Sequence, residues 1–177
     1  MFHAQSVNSF FKALDFLRKK GQKVSASRSD RKTSEGVVVY RLNDENSKGF
    51  ILSFTCETDF VAKTDGFVEL CHNLAMQIAA TNPISLDKNS VPDDVINKEK
   101  EIFTEQAKSS GKPDNIIEKM VEGRLSKFFQ ENCLMEQAYI KDSDKKIADL
   151  MTETIATLGE NITISKYIRF AVGESDS

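Results

Sequence analysis

Between Phe50 and Cys56 the apolar side chains fall on every second position, with Phe50, Leu52, Phe54 and Cys56 on one side and Ile51, Ser53 and Thr55 on the other. A period of two sends successive side chains to opposite faces, so this stretch predicts a strand with one buried face. Upstream, Val37 to Leu42 has the same β character. The polar residues from Asn43 to Gly49 predict the turn of an antiparallel hairpin between them. The period then changes. Phe67, Leu70, Cys71, Leu74, Ala75 and Ile78 recur at helical spacing, predicting a helix from near Asp65 that Asn82-Pro83 ends.

Further along, Ser90-Val91-Pro92-Asp93-Asp94 supplies a cap, a proline and an acidic first turn for a helix with one weak apolar edge at Val95, Glu99, Ile102, Phe103 and Gln106. Gly111-Lys112-Pro113 stops it. The next helix runs from about Pro113 past Phe129, with Ile116, Ile117, Met120, Val121, Leu125 and Phe128 as its buried side, and the two are expected to pair antiparallel. Lys145 to Leu158 reads as one more helix. Asn161 to Val172 reads as a closing strand with Ile162, Ile164, Ile168, Phe170 and Val172 on one face. At the other end, Phe10, Phe11, Leu14 and Leu17 make a helical stripe that the cationic turn Arg18-Lys19-Lys20 and Gly21 should close. Gln22 to Glu35 reads as a polar, basic linker or weak helix. Assembled, these elements give an α+β fold in which helices cover a three-stranded antiparallel sheet, with a helical hairpin appended. The expected division is residues 1–35, helix and linker, and residues 36–177, the α+β core.

Composition narrows the function. With 177 residues and 40% hydrophobic content the chain can bury a substantial core. Its 24 basic residues are interspersed among 27 acidic ones, which is not the basic surface that nonspecific nucleic-acid binding needs. The basic residues between Gln22 and Glu35 have no aromatic among them to stack on bases, so a solvated linker is preferred to an RNA arm. No run of about 18 apolar residues implies a membrane span, and no secretory leader is visible. Three cysteines without CxxC spacing read as reduced thiols.

Candidate chemistry is sparse. Cys71 and His72 are neighbours on a helix, so their side chains point about 100° apart and do not form a nucleophile–base pair. Cys56, Cys71 and Cys133 read as structural thiols, with a thiol enzyme built on Cys133 as the competing idea. Glu57 and Asp59 are two carboxylates without a histidine or a third ligand, which is not enough for a metal site or an acid–base pair. No glycine loop is set to cradle phosphates, so no cofactor or nucleotide site is expected in this chain. What remains is Glu57-Thr58-Asp59-Phe60-Val61, a loop mounted between a strand and a helix. It offers an apolar ring beside a carboxylate, suited to probing a crevice on another protein. The competing assignment puts the Phe60 ring in this protein's own core.

The string CETDFVAK, Cys56 to Lys63, resembles a signature of the elongation factor Ts family. Val121-Glu122-Gly123-Arg124-Leu125 through Leu134-Met135-Glu136-Gln137 is similar to a second one, in the right order. Lys12 to Gly21 and Ile168 to Glu174 also resemble that family. The resemblance implies a guanine-nucleotide exchange factor, not an enzyme in its own right, acting on elongation factor Tu. It implies Thr58, Asp59, Phe60 and Val61 as the exchange residues, with Asp59 and Phe60 disturbing the partner's magnesium and phosphate site and Thr58 and Val61 fixing the loop. It further implies that residues 1–35 are the remnant of a three-helix partner-binding module. A homodimer is expected, because longer members carry two sheet-bearing halves. The bacterial cytoplasm is the expected compartment, a mitochondrion or plastid the alternative. A non-exchanging interaction subunit of the same fold is the alternative function.

Overall fold

The structure, a computed structural model, describes residues 2–109 and 111–173, with side chains from residue 12 onward. The chain runs α1 (Phe2–Ala26), β1 (Glu35–Leu42), β2 (Lys48–Cys56), α2 (Asp59–Ala62), α3 (Asp65–Thr81), α4 (Asp93–Lys108), α5 (Asp114–Asn132), β3 (Ala138–Tyr139), β4 (Asp142–Lys146), α6 (Ile147–Leu158) and β5 (Ile162–Ala171). It divides into two compact units, Met1–Ala75 with Asp149–Ser177, and Met76–Ala148. The fold is α+β, as the alternating and helical periods predict.

In the first unit the sheet order is β1-β2-β5, antiparallel throughout. The parity of β2 holds: Phe50, Leu52, Phe54 and Cys56 are buried, and they share the core with Phe67, Leu70, Cys71 and Leu74 of α3 and Met151 and Ile155 of α6. Asn43 closes the β1–β2 hairpin, its Oδ1 accepting the Ser47 and Lys48 N–H groups at 2.9 Å each. Gly36 is required where β1 enters. Its φ is +153°, and a Cβ there would fall 1.9 Å from the Phe54 carbonyl oxygen.

The single-face expectation for the last strand is corrected. Phe54 pairs with Ile164 but Ser53 pairs with Lys166, so Ser165 is an extra residue on β5. A one-residue bulge reverses the parity beyond it. Ile162 is therefore buried at 2% exposure, whereas Ile168 and Phe170 stand 41% and 52% exposed on the outer face. There Ile168 lies across from Ile51, and Ile51 from Tyr40, extending an apolar row over all three strands.

Two N-terminal expectations also change. α1 does not stop at Gly21 but runs to Ala26. Gly21 faces Thr152 and Ala156 of α6, so packing sustains the helix through a residue that costs only about 1 kcal/mol in a helix interior. The side chains of Phe10 and Phe11, like Glu174, lie outside the described residues. The segment after α1 is not a free linker. Arg28 Nη1 donates to the Ile155 carbonyl near the end of α6 at 3.3 Å, and the Thr33, Thr55 and Thr163 hydroxyls join across the sheet at 2.8–3.3 Å.

In the second unit α4 and α5 form the expected helical hairpin, with the Arg124 guanidinium 5.9 Å from the Phe103 ring centre and hydrogen-bonded to Gln106. Ala107, Ile117 and Leu125 are buried; Ile116, assigned to the same side, is 41% exposed. Ser90 does not cap α4. Pro92 holds that position without a side-chain bond, and Ser90 instead belongs to a short 3-10 turn capped by Asp87. The helix expected from Lys145 begins at Ile147, because residues 142–146 pair with Ala138–Tyr139 as a small antiparallel hairpin. A buried amide network anchors it: Gln77 Nε2 donates to Gln137 Oε1 (3.0 Å) and the Ala138 carbonyl (3.1 Å), while Gln77 Oε1 accepts the Ile140 N–H (2.9 Å).

Candidate partner-docking loop

The β2 strand delivers Cys56 into the core, fully buried, and its Sγ donates to the Thr58 carbonyl at 3.2 Å. The chain then leaves the sheet and makes one helical turn. Thr58, extended at φ −130° and ψ 154°, is the N-cap of α2, and its Oγ1 accepts from the Val61 N–H at 3.4 Å. At the far side Thr64 Oγ1 donates to the Val61 carbonyl (2.8 Å) and accepts from the Phe67 N–H (3.3 Å), tying the loop to α3. Ala62 is buried beneath the turn and Val61 is half-buried.

Phe60 sits on the crest, 80% exposed. That excludes the assignment of its ring to the core of this unit. Beside it, Asp59 Oδ2 accepts a hydrogen bond from Lys63 Nζ at 2.7 Å, one turn along. This bond and the ammonium charge hold the Asp59 carboxyl below its ordinary range, and the carboxylate in turn pushes Lys63 up. An exposed pair of this kind is held weakly and exchanges partners at little cost. Thr58, Asp59, Phe60 and Val61 thus form one surface feature: an apolar ring on a braced turn, with an ionised carboxylate beside it.

The brace includes two residues that the sequence reading passed over. Glu160 Oε2 accepts the Glu57 and Thr58 N–H groups at 3.1 and 2.9 Å, and its Oε1 accepts from the Thr58 hydroxyl at 2.6 Å. Asn161 N–H donates to Glu57 Oε1 at 2.7 Å. The available signal was Gly159-Glu160-Asn161, a polar turn between a helix stop and an apolar strand, but nothing local says which backbone such a carboxylate serves.

Three expected structural thiols are buried. Burial pushes Cys71 up to about 12 and raises Cys56 and Cys133 as well. Cys133 is fully buried and receives a weak hydrogen bond from Ser85 Oγ at 3.7 Å, a poor setting for a thiolate nucleophile. His72 is turned outward from buried Cys71, its Nδ1 3.1 Å from Arg41 Nη2. Among the described residues no cluster of three or more His, Cys, Asp or Glu is placed to hold a metal, and no helix is long and apolar enough to cross a membrane.

The family model for Elongation factor TS matches residues 21–174, which takes in both motif segments and the whole sheet. The chain belongs to the elongation factor Ts family. It is similar to the elongation factor Ts of Syntrophomonas wolfei, 52% identical over 163 residues that cover 92% of this chain and 76% of that protein. The elongation factor Ts of Oleidesulfovibrio alaskensis is 48% identical over 162 residues (92% and 82%), and that of Fervidobacterium nodosum 45% over 171 residues (97% and 87%).

Proposed function

We propose that this chain is the guanine-nucleotide exchange factor of an elongation factor Tu, and that the Thr58–Val61 turn is its working end. The observation that carries this is Phe60, 80% exposed on a turn hydrogen-bonded at both ends. A large apolar ring held rigidly in water costs free energy unless a partner covers it, and central aromatic anchors supply much of the energy of protein interfaces. In this reading the ring enters a crevice in the partner's nucleotide domain, and Asp59 exchanges Lys63 for a group of the partner. A magnesium ligand is displaced, the GDP phosphates lose part of their counter-charge, and GDP leaves. The nucleotide stays with the partner, so this chain needs no phosphate loop. GTP binding to the emptied partner must then weaken the factor's hold by the same ratio as the factor weakened nucleotide binding. Residues 1–35 add a second contact through the exposed side chains of Phe16 and Leu17 on α1, and residues 36–177 form the exchange core. The bacterial cytoplasm, where translation runs, is its place of action.

Stopped-flow release of a fluorescent GDP from elongation factor Tu tests this directly. Acceleration that saturates with added chain is expected. Binding without acceleration would instead identify a non-exchanging subunit.

The same reading includes a homodimer. The outer face of the sheet exposes Val38, Tyr40, Leu42, Ile168 and Phe170, and a second copy laying the same face against it would cover them. Light scattering at micromolar concentration should give twice the chain mass, and a strictly monomeric mass overturns the dimer.

A further inference from the structure

The sheet ladder between β2 and β5 ends at the pair Cys56–Ile162, two residues before the Thr58–Val61 turn begins. Beyond that pair the backbone donors of both segments still need acceptors, and side chains take over the ladder in both directions. Glu160 accepts the N–H groups of Glu57 and Thr58, while Glu57 accepts the N–H of Asn161. Arg31 Nη1 stands 3.5 Å from Glu57 Oε1 and offsets its charge. Asn161, 4% exposed, uses its Nδ2 to hold the Ser29 and Arg31 carbonyls at 3.3 and 2.9 Å, which fixes the backbone that carries Arg31. Glu160 also reaches the Thr58 hydroxyl, the group that caps α2. Its two oxygens therefore set both the height at which the chain leaves the sheet and the orientation of the turn that lifts Phe60.

We infer that Glu160 is a positioning residue for nucleotide exchange, acting through the Glu57 and Thr58 backbone to aim the Phe60 ring. The inference rests on the reading of the Phe60 turn as the working end. It assigns the effect to the reach of the Glu160 side chain, with its negative charge dispensable. An amide of the same length can still accept the two N–H groups through its oxygen and donate its NH2 to the Thr58 hydroxyl oxygen, which keeps that contact with its direction reversed, whereas a carboxylate one methylene shorter withdraws from them.

The test uses Glu160→Gln and Glu160→Asp in the full chain, beside Phe60→Ala. Two readouts are taken: the maximal rate of GDP release from elongation factor Tu, and hydrogen exchange at the Glu57 and Thr58 amides. Glu160→Asp is expected to lose protection at those two amides and to release GDP on the order of 10-fold more slowly, since displacements near 1 Å cost that much or more where orientation matters. Glu160→Gln is expected to keep both protection and rate. The reverse order, with Asp active and Gln slow, overturns positioning in favour of charge. Wild-type release by Glu160→Asp with a slow Phe60→Ala overturns the role of Glu160 alone. Wild-type release by Phe60→Ala removes the reading on which the role rests.

Discussion

Cys56 and Cys133 are both fully buried, and each opens a turn that carries an acid and a large side chain. Yet four residues on, Phe60 is 80% exposed and Gln137 is 4% exposed. Both turns have their first amides held by a distant segment, and the difference lies in where each sends its own side chains. After Cys56 the Glu57 and Thr58 amides are held by the Glu160 carboxylate, and Asp59 and Phe60 face solvent; after Cys133 the Leu134 and Met135 amides are held by the Ser85 and Leu86 carbonyls. After Cys133 the segment turns its own groups inward. Leu134 is completely buried, and Gln137 Nε2 donates to the Glu131 carbonyl while its Oε1 accepts from Gln77 and lies 2.7 Å from Thr81 Oγ1. A buried polar network fully paired in this way fixes one packing and is costly to disturb. The two motifs that carry the family resemblance thus do opposite work: one presents a surface, the other closes a core.

The contrast is most easily broken at its apolar residues. Leu134→Ala should destabilise the protein by ~2–5 kcal/mol, because nothing else is placed to fill the space of a fully buried leucine. Denaturant unfolding measures this, and exchange per folded molecule should be unchanged. Phe60→Ala should do the converse. Its unfolding free energy should move by less than ~0.5 kcal/mol, as for other exposed positions. On the proposed role, GDP release should slow by about 30- to 1000-fold, the equivalent of ~2–4 kcal/mol at an interface anchor. A destabilised but active Phe60→Ala would invert the comparison.

Smaller effects sharpen it. Gln137→Ala strips partners from the buried Gln77 amide and the Thr81 hydroxyl, and should cost ~1–3 kcal/mol in the same unfolding assay. Asp59→Ala should leave unfolding unaltered within error and slow release only a few-fold, as about expected for an exposed charge that orients more than it binds. The Asp59–Lys63 pair also sets a pH signature. The folded Asp59 pKa is depressed, so the pair is intact above the ordinary value near 3.8 and is lost as pH falls through the lower folded value. The folded Lys63 pKa is raised, so the pair persists below 10.5 and is lost as pH rises through the higher folded value. Between these limits the few-fold difference in GDP release between wild type and Asp59→Ala should stay constant in a pH series at low salt, and added salt should shrink it.

Local periodicity carried the parts of the fold that one segment decides for itself. The alternation from Phe50 to Cys56 and the helical stripe from Phe67 to Ile78 were legible because a strand or helix buries whichever face its own side chains make apolar. The Phe60 turn was legible as a mounted loop for the same reason, and the two motifs sufficed for the family resemblance. What stayed hidden depended on partners far away in the chain. The parity of Ile168 and Phe170 turned on Ser165, which is an extra residue only relative to the register of β2. The fate of the Phe60 ring could not be read from its neighbours, since a core plug and an exposed anchor have the same local sequence; only the packing of the whole unit leaves it in solvent. Glu160 and Asn161 act across more than a hundred residues on Glu57 and Thr58. A carboxylate in a polar turn is an acceptor in any sequence, and the donors that come within 3 Å of it are chosen by the antiparallel pairing of β2 and β5, which exists only in the tertiary structure.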